Sequence, residues 1–312
     1  MPDSSLESLS NGLILDIDRF STHDGSGIRM AVFLKGCPLN CAWCHSPESR
    51  KAAPQLLYQV ARCRSCGWCV KECPLAAITL HDDGGGISID RKRCAHCFRC
   101  ASICPTSALR IAGTMRSVDS IVEIARRDQS FYINSGGGVT VSGGEPLMQS
   151  SFVEALMKRL HEIPVHTALE TSGQGDEDVL LRIAQQTDLI YYDIKLLDDD
   201  LHRQHVGVSN NRILSNLRAL AAHDTIRSRV CVRTPCIPGI NDSPDQIRAI
   251  AVFVRSLGIQ MMETLPYNTM ADAKYEWLDE PYPLKDLPER DAAYYRMLSE
   301  LTAAEGLSRV IS

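Results

Sequence analysis

The sequence predicts an α/β fold: an incomplete (β/α)6 barrel of the TIM type, interrupted by a small cysteine-rich domain. Segments typical of strands alternate with segments typical of helices along most of the 312 residues, and eight of the 13 cysteines lie between positions 63 and 104. Strands that alternate with helices pair in parallel through right-handed crossovers. About six such units are too few to close an eight-stranded barrel. We therefore expect an open barrel from residues 1–54 and 113–312, with residues 55–112 as the inserted domain.

The predicted strands are short runs rich in Val, Ile and Leu, and the predicted helices show apolar residues at intervals of three to four. The first barrel helix opens with the capping-box pattern Ser-Ile-Val-Glu at 120–123. The predicted strands are 13–17, 31–34, 139–141, 165–170, 189–195, 229–233 and 261–265, and further helices are predicted at 152–160 and near 177–186, 211–222 and 243–257. Charged and glycine-rich motifs follow these strands, at the end where enzymes of this fold class carry their chemistry.

A triplet of cysteines follows the second predicted strand. Cys37, Cys41 and Cys44 have the spacing C-x3-C-x2-C, with Trp43 immediately before the last cysteine. A cubane 4Fe–4S cluster normally takes four cysteine thiolates. Three thiolates leave one iron with an open position, as a catalytic zinc site keeps one position for its substrate. The triplet therefore predicts an iron–sulfur cluster that binds another molecule at its fourth iron.

The inserted domain carries two copies of the run C-x2-C-x2-C-x3-C-P, at 63–74 and 94–105. This run is typical of bacterial ferredoxins with two 4Fe–4S clusters, in which the fourth cysteine of each run ligates the other cluster. A pair of structural zinc sites is the alternative, although zinc modules use C-x2-C pairs separated by longer gaps. The expected ligand sets are Cys63, Cys66, Cys69 and Cys104 for one cluster, and Cys94, Cys97, Cys100 and Cys73 for the other.

The overall composition predicts a cytoplasmic protein. The net charge of −5 gives no reason to expect a nucleic-acid or membrane partner, and no apolar run reaches the length of a membrane span. The acidic, polar segment 1–7 lacks the features of a signal peptide. Thiols in a reducing compartment are not expected to form disulfides. We expect the two remaining cysteines, Cys231 and Cys236, to be buried apolar residues.

Several motifs join the cysteine runs in one family pattern. They are STHDGSGIR at 21–29, GCPLNCAWCH at 36–45, SGGGVTVSGGEP at 135–146, YDIK at 192–195 and HVG at 205–207. Over nearly its whole length the chain resembles the activating enzymes of glycyl-radical enzymes, in the subgroup with a ferredoxin-like two-cluster insert. These belong to the radical S-adenosylmethionine (SAM) superfamily, in which the open iron binds the amino group and carboxylate of SAM.

The resemblance also implies which residues contact SAM. Gly143 and Gly144 would meet the amino group of its methionine and Lys195 its carboxylate, with Asp193 near the ribose or a bound monovalent cation. Trp43 would pack beside the adenine. Asn268 stands where many members have His, and an amide can hydrogen-bond there but cannot titrate. The implied SAM-binding residues are Trp43, Cys44, His45, Gly143, Gly144, Asp193, Ile194, Lys195, Arg233 and Asn268.

Three positions keep a second interpretation. Arg233 either contacts the carboxylate or ribose of SAM or forms a structural salt bridge at the end of its strand. The glycines at 136–138 either contact a ligand or form a flexible entry loop. Glu170 stands where family members place an aspartate near the cation, and its extra methylene leaves the cation site open.

The family implies a specific reaction. An electron from the reduced cluster at Cys37, Cys41 and Cys44 cleaves SAM to methionine and a 5′-deoxyadenosyl radical, which takes a Cα hydrogen from one glycine of a large partner enzyme. The expected cofactors are three 4Fe–4S clusters and SAM, and flavodoxin or ferredoxin is the expected electron donor. The two insert clusters either relay electrons or are structural.

Two other functions are alternatives to this reaction. The first alternative is a radical SAM enzyme that acts on a small molecule or another peptide. The second is an iron–sulfur electron carrier with a vestigial barrel, and this conflicts with the intact Gly-Gly-Glu and Asp-x-Lys motifs at 143–145 and 193–195.

Overall fold

The structure is a computed structural model that describes residues 10–308. The segment 1–7, on which the prediction about a signal peptide was made, lies outside the described residues, as do residues 309–312 of the predicted barrel. None of the helices in the described range is long and apolar enough to cross a membrane.

Residues 10–308 form twelve strands and eleven α-helices. In chain order, the strands are β1 (Asn11–Ser21), β2 (Arg29–Leu34), β3 (Gln55–Tyr58), β4 (Ile78–Leu80), β5 (Ile87–Ile89), β6 (Leu109–Ala112), β7 (Thr114–Ser117), β8 (Gly138–Gly143), β9 (His166–Thr171), β10 (Leu189–Asp193), β11 (Val230–Cys236) and β12 (Met261–Pro266). The helices are α1 (Trp68–Glu72), α2 (Arg99–Ser102), α3 (Val118–Ser135), α4 (Ser150–Leu160), α5 (Glu177–Gln185), α6 (Asp199–Val206), α7 (Asn211–Ala221), α8 (Asp224–Arg227), α9 (Pro244–Ser256), α10 (Asp272–Glu276) and α11 (Ala292–Ala304).

The main sheet has the strand order β12-β11-β10-β9-β8-β2-β1-β7. Each neighbouring pair from β2 through β8 to β12 is parallel, whereas β1 pairs antiparallel with both β2 and β7. Helices connect the parallel strands, because the chain needs a crossover of about a dozen or more residues to return to the start of a parallel strand. The result is a partial, barrel-like sheet whose carboxyl-terminal strand ends meet at one edge.

Side chains alternate between the two faces of the parallel strands. On β8, Val139 and Val141 join the main hydrophobic core together with the apolar faces of the surrounding helices, such as Ile121 and Leu156. The intervening residues on the same strands point the other way, and those near the carboxyl-terminal strand ends are polar: Ser142 on β8, Glu170 on β9, Asp193 on β10 and Arg233 on β11. Polar groups on the concave face of a partial barrel indicate a polar ligand there.

The structure differs from the predicted elements in several places. Each predicted strand overlaps an observed strand. The helix predicted to open at Ser120 begins earlier, at Val118, and its N-cap is Ser117, whose side chain accepts a hydrogen bond from the Ser120 N–H at 3.2 Å. Outside residues 55–112, the helices α6, α8, α10 and α11 and the antiparallel strand β7 are not among the predicted elements. The sequence of α6 shows little apolar periodicity because only His202 and Val206 of this helix are buried. Apolar periodicity is the main sequence signal for a helix, so α6 gave little sign of itself.

The cysteine-rich segment forms a small unit with its own two-stranded sheets. β3 pairs antiparallel with β6, so the chain enters and leaves this unit through adjacent strands, and β4 pairs with β5. Its attachment to the barrel runs through residues that follow β12. The Trp277 carbonyl accepts a hydrogen bond from the Tyr58 N–H at 3.0 Å, and Arg91 forms an ion pair with Asp279 at 2.8 Å.

Candidate cofactor-binding site

A cavity of about 460 Å³ opens at the carboxyl-terminal ends of the parallel strands. It lies between the cysteine triplet and the polar face of the sheet. Its lining includes Cys37, Cys41, Trp43, Cys44, His45, Gly143, Gly144, Asp193, Lys195 and Asn268. The structure thus brings all three cysteines of the triplet to one cavity with most of the predicted SAM-binding residues, while Ile194 is buried beside it.

The three thiols of the triplet lie in the cavity wall and are partly buried. Burial raises the pKa of Cys37 and of Cys41 to about 12 and also raises the pKa of Cys44. These groups therefore hold their protons at neutral pH, and metal binding has to displace them. A cavity lined by three thiols that can become thiolates suits a cluster with three cysteine ligands.

Backbone hydrogen bonds hold the cysteine loop against the end of α6. The Asn40 N–H donates to the Val206 carbonyl and the Ala42 N–H to the His205 carbonyl, both at 2.8 Å. The motif HVG at 205–207 therefore positions the loop that carries the triplet. The sequence placed this motif in the family pattern without giving it a role, because residues this far apart show their contact only in the fold.

Gly143 and Gly144 line the cavity where β8 ends, and a side chain at either position would collide with neighbouring backbone. Gly143 has φ of +115°, and a Cβ there would lie 2.1 Å from the Leu34 nitrogen. A Cβ on Gly144 would lie 2.2 Å from the Gly36 carbonyl oxygen. Glycine is required because β8 and the start of the cysteine loop are so close. This packing requirement stands beside the predicted contact with a ligand.

Glu145 follows these glycines and has a structural role that the sequence did not predict. Its buried carboxylate accepts hydrogen bonds from the Thr171 hydroxyl, from the N–H and hydroxyl of Ser172, and from the Leu147 N–H. These bonds connect the end of β8 to the end of β9. The only sign of this role in the sequence was the position of the carboxylate, directly after two glycines at the end of a strand.

Asp193 and Lys195 form a largely but not fully buried ion pair beside the triplet, with 2.8 Å between Asp193 Oδ2 and Lys195 Nζ. Burial by itself lowers the pKa of the Lys195 ammonium, but Asp193 and Cys41 outweigh that effect and the pKa is raised. Lys195 is therefore a fixed cation next to the thiols. Asp193 Oδ1 is buried and has no hydrogen-bond partner within residues 10–308. An unpartnered carboxylate oxygen at a cavity wall is suited to a ligand hydroxyl or amino group.

A buried amide holds Lys195 in place. The Asn241 side-chain amide donates to the carbonyls of Lys195 and Pro235, each at 2.7 Å, and its oxygen accepts from the Ile237 N–H at 2.6 Å. All these groups lie at the ends of neighbouring strands. Asn241 is thus a further residue that the sequence analysis missed.

Arg233 lies below the cavity and is already paired. It contacts Glu170 at 3.1 Å and Glu263 at 3.0 Å, and its guanidinium carbon lies 3.3 Å from the centre of the Tyr191 ring. Glu170 also accepts a hydrogen bond from the Ser142 hydroxyl at 2.6 Å. Arg233 thus forms salt bridges at the end of its strand, which was one of its two predicted roles. Any contact of Arg233 with a ligand would be additional to these salt bridges.

Three further predicted residues line the cavity opposite the sheet. Trp43 packs in an apolar cluster with Leu39 and Ile237. Burial lowers the pKa of His45, so its ring is neutral at neutral pH. The Asn268 oxygen accepts a hydrogen bond from the Met270 N–H at 2.9 Å, which leaves the amide NH2 available as a donor.

The glycines at 136–138 lie at the other end of the sheet from the cavity. Gly138 begins β8 and Gly143 ends it, which separates the two glycine motifs by about 17 Å at strand geometry. A Cβ on Gly137 or Gly138 would lie 1.8 Å from the carbonyl oxygen of Ile28 or His166, respectively. These glycines permit close backbone packing where α3 passes into β8, so neither a ligand turn nor a flexible loop describes them.

The segment 21–29 is fastened by a buried arginine and reaches the cavity through His23. Arg29 donates to the Thr140 hydroxyl at 2.7 Å, and that hydroxyl donates to the Asp24 carbonyl, also at 2.7 Å. Burial lowers the pKa of Arg29 to about 10, so the guanidinium remains charged at neutral pH. The segment lies along the open side of the sheet, and His23 contributes to the lining of the cavity.

The eight cysteines of the small unit line two separate cavities. One cavity is lined by Cys63, Cys66, Cys69 and Cys104, and the other by Cys73, Cys94, Cys97 and Cys100. Each cavity therefore takes three cysteines from one run and the fourth from the other run. Within residues 10–308, no three His, Cys, Asp or Glu side chains are grouped closely enough to hold a single metal ion. Cys231 and Cys236 lie elsewhere and are fully buried.

Comparison with known families and proteins relates the whole chain to one group. The sequence model of the radical SAM superfamily matches residues 91–250, downstream of the cysteine triplet, and that of the 4Fe-4S dicluster domain matches residues 62–108. The isethionate sulfite-lyase activating enzyme of Oleidesulfovibrio alaskensis is 42% identical over 305 residues, which cover 95% of this chain and 96% of the relative. The indoleacetate decarboxylase activating enzyme of Tractidigestivibacter scatoligenes is 39% identical over 308 residues, which cover 96% and 97%.

A solved structure shares the fold at low sequence identity. The crystal structure of Streptococcus suis SuiB bound to precursor peptide SuiA matches with a TM-score of 0.52 and 14% identity. The match covers 86% of this chain and 43% of that one. At this identity the likeness concerns the fold alone.

Proposed function

The chain belongs to the activating enzymes of glycyl-radical enzymes in the radical SAM superfamily, and from that premise we propose an assignment of its clusters, its SAM contacts and its partners. As a member of this family it is an enzyme that cleaves SAM and generates a glycyl radical on a partner. The observation that carries the assignment is the single cavity in which three cysteines face Lys195, Asp193 and the Gly143–Gly144 turn.

Cys37, Cys41 and Cys44 would hold the cluster that meets SAM. When bound and reduced, that cluster supplies the electron that cleaves SAM to methionine and the 5′-deoxyadenosyl radical, which removes the glycine Cα hydrogen. The protein supplies binding, orientation and exclusion of water. The buried Lys195 ammonium provides fixed positive charge beside these thiols, at the place where a carboxylate of SAM would be held.

The remaining contacts follow from the cavity lining. Asp193 Oδ1, buried and without a partner in the described chain, would accept a hydrogen bond from SAM. Trp43 offers an apolar ring for the adenine, and Asn268 offers an amide donor. Gly144 would present backbone to the amino group. Arg233 would act on SAM largely by holding Glu170 in place, because both of its nitrogen contacts are made to carboxylates.

A monovalent cation fits these residues poorly. Glu170 is bonded to Arg233 and Ser142, and Thr171 donates its hydroxyl to Glu145. Asp193 Oδ1 alone among these oxygens is without a partner in residues 10–308. We therefore assign no cation to the site.

We further propose three 4Fe–4S clusters in total and a division of the chain at 54/55 and 112/113. The antiparallel pairing of β3 with β6 supports the insert boundaries, since both strands begin or end at them. The six strands in parallel register, β2 and β8–β12, support the (β/α)6 description of the barrel. The 11 cysteines of the proposed clusters must stay reduced in order to bind iron. This supports a location in the cytoplasm, where thiols are kept reduced.

The decisive experiment for the function is electron paramagnetic resonance on the anaerobically reconstituted, reduced protein with SAM. It would be mixed with a panel of glycyl-radical enzymes that begins with isethionate sulfite-lyase and indoleacetate decarboxylase, the partners in the relatives' names. A glycyl doublet together with 5′-deoxyadenosine would identify the partner. SAM cleavage that is coupled to a metabolite or peptide and gives no doublet would favour the alternative radical SAM function.

The insert clusters are proposed to relay electrons to the cluster at the triplet. We expect Cys66→Ser to slow reduction of the triplet cluster by a protein donor severalfold, because Cys66 is an exposed member of the Cys63 set. Freeze-quench spectroscopy of the SAM-responsive signal measures this rate. Reduction by dithionite serves as the control, since a small reductant reaches the triplet cavity directly. An unchanged rate with the protein donor, in a variant that keeps its fold, would make the insert clusters structural.

A flavodoxin or ferredoxin is the proposed donor, and the exposed basic residues of the insert support an acidic carrier. Residues 55–112 carry eight Lys or Arg and four Asp or Glu, a side-chain net charge of +4 that two oxidised clusters at about −2 each would bring near zero. The rest of the chain carries 25 and 34, a net charge of −9, so the insert is still the less negative part of the protein. Six of the basic residues are exposed: Arg62, Arg64, Lys71, Lys92, Arg93 and Arg99. Opposite charges accelerate the encounter of two proteins.

Reversing that charge is expected to slow reduction by an acidic flavodoxin. One triple variant combines Arg62→Glu, Arg64→Glu and Lys71→Glu. A second triple variant replaces the other three exposed basic residues of the insert by Glu. The second-order rate constant should fall, and its dependence on ionic strength should flatten. Stopped-flow absorbance measures both. A matched triple on exposed barrel residues, Arg126, Lys158 and Arg212, should leave the rate unchanged. Equal effects of insert and barrel triples would contradict docking on the insert.

A further inference from the structure

Two phenylalanines meet on the surface of the barrel, although the chain has only six in all. Phe20, near the end of β1, and Phe131, on α3, pack edge to face with 5.4 Å between ring centres. Phe20 is 49% exposed and Phe131 is 51% exposed. Single apolar residues on a surface are ordinary, whereas contiguous apolar surface is typical of an interaction site. The pair is therefore a candidate contact for another molecule.

An arginine extends this aromatic pair, and a buried carboxylate holds that arginine in place. The guanidinium carbon of Arg19 lies 5.6 Å from the centre of the Phe20 ring. Nε and Nη2 of Arg19 donate to the two carboxylate oxygens of Asp128, each at 2.7 Å. The Arg19 side chain is 50% exposed, whereas that of Asp128 is only 5% exposed. Aromatic residues and arginine are enriched at protein interfaces, and a side chain that is already fixed loses little entropy on binding.

Arg19, Phe20 and Phe131 are called the aromatic patch below, and this patch lies beside the segment that carries His23. His23 contributes to the lining of the cavity and is three residues from Phe20, so their Cα atoms are at most about 11 Å apart.

The other side of the patch is also fastened to this segment. The Ile28 N–H donates to the Ser135 hydroxyl at 2.9 Å. Ser135 is four residues after Phe131 on α3, so the two side chains are neighbours on one face of the helix. The patch therefore adjoins the open side of the sheet on both β1 and α3.

A partner enzyme has to touch the surface around the cavity in order to react in it. The cavity has a volume of about 460 Å³, which admits a peptide loop but not the body of an enzyme. The body must then rest on the surface beside the opening, where binding energy is gained without contact to the reacting atoms. We propose that the aromatic patch is the surface on which the glycyl-radical enzyme docks while its glycine loop enters the cavity. The inference rests on the proposed function and adds the place where the partner is held.

The test compares docking of the whole partner with reaction of its glycine loop alone. The partner is a glycyl-radical enzyme in which the wild type generates a glycyl doublet. The variant combines Phe20→Thr with Phe131→Ala, replacements that suit a strand and a helix, respectively. Loss of two interface aromatics should raise the dissociation constant of the complex about tenfold or more. Anaerobic biolayer interferometry with SAM present measures it, and the KM for the partner should rise with kcat unchanged.

Two controls accompany this variant. A synthetic peptide with the glycine-loop sequence of the partner should react equally with variant and wild type, because a free peptide does not need the docking surface. Val252→Ala supplies the matched replacement, since Val252 is a 49% exposed apolar residue on α9, which connects the strands at the opposite edge of the main sheet. It should bind the partner like the wild type.

The outcomes separate this inference from the proposed function. A wild type that forms no glycyl doublet with any partner would contradict the proposed function, and the docking surface with it. Activation by the wild type, with an equal dissociation constant for the double variant, would overturn the docking surface alone. An equal loss of reaction with the free peptide would also overturn it, since the patch would then act on the cavity. A changed oligomeric state of the variant, measured by light scattering, would assign the patch to a second copy of this chain instead.

Discussion

Substitution of Cys44 by alanine is expected to abolish 5′-deoxyadenosine formation while the insert keeps its iron. Cys44 lines the same cavity as Cys37 and Cys41, and two remaining thiolates cannot hold a cubane with one open iron. The eight insert cysteines line separate cavities and do not depend on Cys44. Chromatographic assay of 5′-deoxyadenosine and iron analysis of the anaerobically reconstituted variant measure the two effects.

The control for this substitution is Cys231→Ala. Cys231 is a fully buried thiol on β11, packed with Ala168 and Tyr191 and away from all three cysteine cavities. Its removal should cost some stability, as a small cavity in a core does, and leave SAM cleavage intact. Formation of 5′-deoxyadenosine by the Cys44→Ala variant would show that the triplet is not the reactive site.

Lys195→Met is expected to weaken SAM binding by about 30-fold or more, because losing one partner of a buried charge pair between a protein and its ligand costs about 2–5 kcal/mol of binding free energy and each 1.4 kcal/mol is about tenfold in affinity. The variant loses the fixed positive charge beside the triplet and leaves the Asp193 carboxylate buried without its 2.8 Å partner. Methionine keeps the length of the side chain. Equilibrium binding of SAM to the oxidised, cluster-loaded protein measures the dissociation constant without turnover.

Lys158→Met supplies the comparison, because Lys158 is an exposed residue of α4 that does not line the SAM cavity. It should bind SAM like the wild type. Binding by Lys195→Met within threefold of wild type, at full iron content, would remove Lys195 from the set of SAM contacts. Reduced iron content instead would mean that Lys195 supports the cluster loop, and Lys195→Arg would then show whether positive charge alone restores it.

The α/β alternation and the cysteine grouping were readable from the sequence because both depend on local spacing. Short runs rich in Val, Ile and Leu mark strands, and the cysteine spacing within each run identifies cluster ligands without knowledge of the fold. The same locality explains the misses. α6 was overlooked because Leu201 and Val206 are its only apolar residues. Its role in holding the cysteine loop depends on a contact between residues 40–42 and 205–206.

Roles that depend on which end of a strand a residue occupies were harder to predict. The glycines at 136–138 and at 143–144 look alike in sequence, yet they lie at opposite ends of β8. Arg233 on β11 has two carboxylate partners, one on the neighbouring β12 and one on β9, two strands away. Sequence patterns do not contain this pairing. Glu145 and Asn241 likewise act by joining the ends of adjacent strands.

The contact between the cysteine loop and α6 has a consequence for the order of assembly. The insert can gather its eight thiols as soon as residue 104 has left the ribosome, since all its ligands are close in sequence. The triplet loop gains its backbone partners only at residues 205–206. Contacts this distant in sequence form slowly. We therefore expect the two insert clusters to be acquired first during biogenesis, and the reactive cluster only after residues 205–206 have been synthesised.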